Sequence, residues 1–320
     1  MVSPLSARRP GDSRLSVVDA ASWSWRQRAS LLCVLLATVG LLALWVRAAA
    51  VALDDLRPPR QPIDGAVAGR LGLRDVAFET ADGLTLRGWY VPPRGAGTVV
   101  LVHGQRASRA QLLRTAARLE GRGLGVLLFD LRAHGESGGE LATSGDREQL
   151  DLEAALAFVR LQPEAAGRPV GALGFSVGGI ALAEVAARDP GVRAVVLEAT
   201  PPTLEEDLDA DCPRGWTLER WVGVMVHRLK GVQVDSVRPV DRLCAIAPRP
   251  LLLVYGEFDP GISAAQRARM LAAACGPKGL WVVPGAGHGG FLEAQPEAFE
   301  QRVVSFLATA LGGAAGHHSE

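Results

Sequence analysis

Val170-Gly171-Ala172-Leu173-Gly174-Phe175-Ser176-Val177-Gly178-Gly179-Ile180-Ala181-Leu182-Ala183-Glu184-Val185-Ala186-Ala187-Arg188 opens as an apolar run, passes through glycine and serine punctuation, and continues as a helix-forming run. Within it Gly174-Phe175-Ser176-Val177-Gly178 fits the G-x-S-x-G pattern, in which a serine sits on a sharp strand-to-helix turn with its hydroxyl exposed. A side chain at 174 or 178 would collide with backbone where the chain doubles back, so glycine suits both positions. Five residues alone are weak evidence, because glycine and serine are common in loops. The context is stronger: a strand-like segment opens after Pro169, and alanine-rich helix runs to Arg188 before Asp189-Pro190.

Outward from this stretch, strands and helices alternate. Arg74 to Thr80 and Leu84 to Val91 are strand-like and flank Asp82-Gly83, a hairpin signal. Thr98 to His103 is a continuous apolar strand, the pattern of a strand covered on both faces. Helix Arg109 to Glu120, strand Val126 to Asp130 and helix Leu150 to Leu161 then lead to the turn. After it come strand Ala194 to Leu197, an irregular insertion from about Thr200 to Pro248, strand Leu251 to Tyr255, helix Ala264 to Ala274, strand Leu280 to Val283 and helix Glu293 to Leu311. The order predicts an α/β fold with a doubly wound, mostly parallel sheet.

Ligands of such sheets bind beyond the carboxyl ends of the strands. Ser176, Asp259 and His288 each follow a predicted strand and carry complementary groups. A serine hydroxyl is a poor nucleophile near neutral pH. An imidazole can take its proton, and a carboxylate on the other ring nitrogen fixes the tautomer and stabilises the imidazolium. Glu257 and Glu198 compete with Asp259, which is favoured by its G-x-x-D turn. His103, His134, His227, His317 and His318 compete with His288. Arg132 is expected to pair with Asp130 and hold that loop.

With these residues in order, the chain resembles the α/β-hydrolase superfamily, in the serine-hydrolase branch loosely described as S33-peptidase-like. The resemblance covers about residues 74 to 311. It rests on His103-Gly104, Asp130-Leu131-Arg132-Ala133-His134-Gly135-Glu136-Ser137, the turn at Ser176, Pro248-Arg249-Pro250 before Gly256-Glu257-Phe258-Asp259, and Gly287-His288. It implies Ser176 as nucleophile, His288 as general base then acid, Asp259 as its orienting carboxylate, and an oxyanion hole from the main-chain N–H groups of Gln105 and Val177. His103 and His134 would order loops through hydrogen bonds. Such a mechanism needs no metal or organic cofactor.

The insertion at about 200–248 is expected to form a small helical lid. Trp216 to Leu229 reads as a helix with Trp221, Val222, Met225 and Leu229 near one face, which would either meet an acyl chain or pack on the core. The acidic run Glu205, Glu206, Asp207, Asp209 and Asp211 reads as a solvated face, the alternative being attraction of a substrate amine.

Ala29 to Val46 carries no charge, and as a helix it would cover about 27 Å, close to a bilayer's hydrocarbon thickness. Trp23, Trp25 and Trp45 suit interfacial positions. The run reads as a transmembrane anchor, with a cleaved signal peptide as the alternative because Ala48-Ala49-Ala50 offers a cleavage-like site. Arginines near the two ends barely discriminate orientation; Arg8 and Arg9 favour a cytoplasmic N-terminus and an outward-facing domain. The expected organisation is a tail at 1–28, the anchor at 29–53, a proline-rich linker at 54–73 that does not pack, the hydrolase-like domain at 74–311 and a disordered tail at 312–320.

Thirty-four basic and 34 acidic residues leave no net charge to recruit nucleic acid. The absence of asparagine excludes N-glycosylation sequons. Cys33, Cys212, Cys244 and Cys275 lack C-x-x-C spacing, and a Cys212 to Cys244 bridge is open to an extracytoplasmic domain. The expectation is a membrane-anchored serine hydrolase acting on a small-molecule carboxylic ester, thioester or acyl substrate. An exopeptidase or acyltransferase with the same residues, or a catalytically silent anchored binding protein, are the alternatives. Haloalkane dehalogenase and dienelactone hydrolase chemistry would need Asp or Cys in place of Ser176.

Overall fold

β1 (Arg74–Glu79), β2 (Thr85–Val91), β3 (Thr98–Val102), β4 (Gly125–Phe129), β5 (Val170–Phe175), β6 (Val192–Glu198), β7 (Leu251–Gly256) and β8 (Lys278–Val283) make one sheet in the spatial order β1-β2-β4-β3-β5-β6-β7-β8. β2 runs antiparallel to both neighbours and every other pair is parallel. The computed structural model describes residues 23–63, 68–69, 71–210 and 217–312. Arg8, Arg9, Cys212, Asp211, Trp216, His317, His318 and the tail beyond Gly312 lie outside the described residues.

The chain leaves β3 for β4 on one side and comes back to β5 on the other. The crevice beyond the ends of β3 and β5 is therefore the switch point where such sheets hold ligands. β3, β4, β5 and β7 are buried at every position, as their unbroken apolar sequences require. The helices are α1 (Trp25–Asp55), α2 (Leu113–Glu120), α3 (Glu148–Leu161), α4 (Val177–Arg188), α5 (Leu204–Ala210), α6 (Thr217–Leu229), α7 (Ala264–Ala273) and α8 (Ser305–Leu311). The helix expected over 293–311 is interrupted. Phe291–Ala294 ends before Pro296, which cannot donate a main-chain hydrogen bond, and a π-helical turn over Glu300–Val304 precedes α8.

The chain divides into two units, one ending at Val46 and one beginning at Arg47. In the first, α1 exposes large apolar side chains such as Leu31, Leu36 and Leu42; α1 is long and apolar enough to cross a membrane. In the second, the last turns of α1 are packed. Ala48, Ala52 and Leu56 are buried in a cluster with Ile180, Leu204, Leu208, Val222 and Val226.

Two expectations change as a result. The proline-rich stretch is docked rather than free, because the Arg60 guanidinium donates to the carbonyls of Gly135, Ser137 and Gly139 at 2.9, 2.6 and 3.0 Å. On α6, Val222, Val224 and Val226 are buried while Trp221 and Leu229 are 71% and 76% exposed. Of the predicted stripe, Val222 is buried and Met225 half-buried, whereas Trp221 and Leu229 lie on the outer face, since the buried face turns toward the end of α1. The one disulfide among the described residues joins Cys244 to Cys275, not to Cys212, and Cys33 is free.

Candidate active site

Ser176 lies between β5 and α4 with φ 52° and ψ −118°, a conformation a residue with a Cβ adopts at a cost. Its neighbours allow the turn. A Cβ on Gly174 would lie 2.4 Å from the carbonyl oxygen of Gly178, and one on Gly178 would lie 2.4 Å from that of Val102. The Ser176 N–H donates to the Glu198 carbonyl at 2.8 Å, which ties the turn to β6.

His288 reaches the same place from the loop after β8. Its Nε2 is 3.1 Å from Ser176 Oγ and its Nδ1 is 2.9 Å from Asp259 Oδ2. An ionised carboxylate only accepts hydrogen bonds, so this contact puts a proton on Nδ1 and leaves Nε2 free to accept from the hydroxyl. Asp259 is itself held after β7, its Oδ1 accepting from the N–H groups of Gly261 and Ile262 at 2.9 and 3.2 Å. A serine proton can pass to the imidazole in this arrangement, with the carboxylate facing the charge that forms.

Gln105 and Val177 line one cavity of about 400 Å³ together with Ser176 and His288. Val177 is the first residue of α4, where an N–H has no intrahelical acceptor. Gly104 lets the turn after β3 lie against the serine turn: a Cβ there would be 2.7 Å from the Phe175 ring. The cavity wall also holds Asp207, a member of the acidic run read from sequence, and Asp55, Arg106 and Ser144, which the sequence reading does not assign to the site. One signal was present, since Asp54 and Asp55 end an apolar helix where its dipole disfavours acids.

The remaining candidates serve the loops. His103 donates from Nδ1 to the Gly104 carbonyl at 2.7 Å and accepts at Nε2 from the Leu131 N–H at 3.0 Å. Burial, together with the nearby His134, pushes its pKa down to about 3. His134 bonds the Arg132 carbonyl and the Arg106 N–H, and burial lowers its pKa also. His227 bonds the Gly223 carbonyl within α6. Arg132 does not pair with Asp130. Its guanidinium meets Asp151 on α3 and Asp82 in the hairpin turn, whereas Asp130 is held by Arg109 at 2.5 Å and by the N–H groups of Arg109 and Glu136.

Of the rival carboxylates, Glu257 accepts from the Gly285 N–H. Glu198 lines a smaller cavity of about 130 Å³ that also touches His288, and its Oε1 is buried without a hydrogen-bond partner among the described residues. Burial, aided by Glu293, pushes its carboxyl up to about 8. In the acidic run, Glu205 and Asp209 pair with Arg220 and Glu206 with Arg269, and Asp207 lies on the cavity wall. Among the described residues no group of three His, Cys, Asp or Glu side chains is placed to hold a metal ion.

Comparison with known proteins bears on the family and the fold. A family model described as serine aminopeptidase, S33, matches residues 93–244, and one described as TAP-like protein matches residues 222–317. An uncharacterized protein of Mycobacterium tuberculosis is 31% identical over 253 residues, covering 77% of this chain and 82% of that one. A polyketide transferase of Stachybotrys chlorohalonatus is 35% identical over 161 residues, 49% of this chain and 53% of that protein. An esterase of Pyrococcus furiosus superposes with a TM-score of 0.67 at 27% identity, covering 79% of this chain and 99% of the esterase.

Proposed function

The chain belongs to the α/β-hydrolase superfamily, and from that premise we propose that it is a membrane-anchored serine hydrolase cleaving carboxylic esters or thioesters through an acyl-enzyme on Ser176. The observation that carries this reading is the unbroken contact from Ser176 through His288 to Asp259 beside an open cavity. Ser176 Oγ attacks the substrate carbonyl carbon as its proton passes to His288 Nε2. The oxyanion that forms meets the N–H groups of Gln105 and Val177. His288 returns the proton to the leaving alcohol or thiol, whose bond to the acyl carbon breaks. Water then repeats the attack with His288 as base, and the acid leaves Ser176.

Similarity to an esterase supports hydrolysis. Similarity to a polyketide transferase keeps acyl transfer as the second reading, in which an alcohol or amine replaces that water. The burial of Ala48 and Ala52 favours an anchor over a signal peptide cut at Ala48-Ala49-Ala50, because cutting there would remove part of a packed cluster. The Cys244–Cys275 bridge favours a domain outside the cytoplasm.

Labelling of the detergent-solubilised protein by a fluorophosphonate tests the nucleophile. We expect labelling in the wild type, none in Ser176→Ala, and hydrolysis somewhere in a p-nitrophenyl ester series from acetate to palmitate. Folded wild-type protein that takes no label would return the chain to the binding-protein alternative.

A further inference from the structure

The cavity beside Ser176 has one wall that the reaction as written does not use, formed by Asp55, Gln105 and Ser144. Asp54 and Asp55 close α1, where carboxylates oppose the helix dipole. Both are answered locally. Arg106 donates to Asp54 at 2.7 Å and its Nε lies 4.0 Å from Asp55 Oδ1, while His227 Nε2 stands 3.5 Å from Asp55 Oδ2 without making a hydrogen bond. Gln105 Nε2 donates to the Asp55 carbonyl at 2.6 Å and lies 3.3 Å from Oδ1. Two oxygens around Nε2 settle the orientation of that amide. Its Oε1 is then left buried without a donor.

Ser144 supplies a second buried group of this kind. It has φ 51°, in the left-handed region that residues with a Cβ rarely adopt. Its neighbours hold it there, since Glu148 accepts from the Thr143 N–H and hydroxyl, both at 2.7 Å, and from the Gly145 N–H at 2.8 Å. Ser144 is only 1% exposed, and its Oγ has no partner among the described residues. A buried polar atom without a partner forfeits a hydrogen bond, and such atoms call for a reason. Both atoms belong to residues that line one cavity together with Asp55, and a small rotation of either side chain would offer them to a ligand group that both donates and accepts.

The charge around them narrows the choice. Asp55 and Asp207 line the cavity with Arg106, which already donates to Asp54 at 2.7 Å, so the wall offers a phosphate or carboxylate little net attraction. A hydroxyl fits, donating to Asp55 or Gln105 and accepting from Ser144. Gln105 also belongs to the proposed oxyanion hole, so the hydroxyl would stand only a few atoms from the scissile carbonyl.

We propose that Asp55, Gln105 and Ser144 form a subsite for a neutral hydroxyl carried by the alcohol part of the substrate, so that the enzyme selects esters of polyhydroxy alcohols over plain alkyl esters. The proposal rests on the assignment of Ser176 as nucleophile. The test compares glycerol monobutyrate with propyl butyrate, which share the acyl group and differ in two hydroxyls. It uses full-length protein in detergent, with p-nitrophenyl butyrate as an independent substrate.

For the wild type, kcat/KM is expected to favour the glycerol ester about tenfold or more, as one or two substrate hydrogen bonds provide. Ser144→Ala and Asp55→Ala should each cut that ratio about fivefold, and Asp55→Asn, which keeps an acceptor, should restore most of it. Melting temperatures separate these effects from misfolding. Three results would overturn the subsite: a wild-type ratio within twofold, a ratio unchanged in both alanine variants, or turnover of p-nitrophenyl butyrate without turnover of the glycerol ester. Failure to turn over any ester or to take the fluorophosphonate would instead overturn the nucleophile.

Discussion

Asp259 and Glu198 each stand at or just beyond the end of a strand of one sheet and both lie near His288, but they are solvated by the protein in different ways. Asp259 accepts two main-chain N–H groups and the imidazole. Glu198 is fully buried with Oε1 unpartnered, and its carboxyl is pushed up to about 8. It therefore keeps its proton at neutral pH and cannot act as the anion that orients an imidazole. The unfolded chain releases that proton near pH 4.5, so the folded state binds more protons from there up to about pH 8. Stability from this group is complete below pH 4.5 and falls by about 1.4 kcal/mol per pH unit as pH rises through that window. Glu198→Gln should remove this alkaline slope, which urea unfolding at pH 5 and pH 8 would reveal. His103 works in the opposite sense. Its folded pKa of about 3 lies below the ordinary 6.5, so stability is lost as pH falls between those values, and the acid slope should survive in Glu198→Gln. The sequence left Asp259, Glu257 and Glu198 as competitors because strand ends are visible in a pattern of apolar residues, whereas the depth of burial at each end is not.

The strand, turn and helix around Ser176 form the element that fixes the site, and its glycines are where it can be broken. Gly178→Ala would place a Cβ 2.4 Å from the Val102 carbonyl oxygen, so β3 and α4 must separate. We expect about 1–3 kcal/mol of destabilisation, as overpacking of a close contact brings. Ester turnover should fall by more than the loss of folded protein explains, read by comparing activity per folded molecule with the urea midpoint. This steric requirement was legible in the five-residue pattern, as were the buried strands, whose apolar runs admit few other structures. The face of α6 was legible only in part: Val222 of the predicted stripe is buried, but Trp221 and Leu229 are not. Helical periodicity finds a stripe but not its partner, and the partner here is the end of α1, composed of residues that also suit a membrane. Arg132 was assigned to Asp130 because they are close in sequence. In the folded loop the guanidinium instead turns to Asp151 and Asp82, which are distant along the chain.

Across the whole molecule, α1 takes part in two different environments. Its N-terminal part is exposed and apolar, while its last turns supply Asp55 to the cavity and Ala48 and Ala52 to a buried cluster. Full-length protein is therefore expected to stay in the membrane pellet after an alkaline carbonate wash, and its domain should be open to protease added from outside intact cells. Recovery in the wash would favour the signal-peptide alternative. The linker expectation failed for a reason visible only in three dimensions: proline and arginine read as extended chain, yet one guanidinium meets four carbonyls of a distant turn. The Cys244–Cys275 bond makes the chain topologically closed over a separation of 31 residues, and the ring contains all of β7, Asp259 and α7. A peptide bond cut inside that ring, for example near the exposed Phe258, does not divide the protein. Cleaved enzyme would run as one band on a gel without thiol and as two with it, with Asp259 covalently joined to both halves until the bridge is reduced.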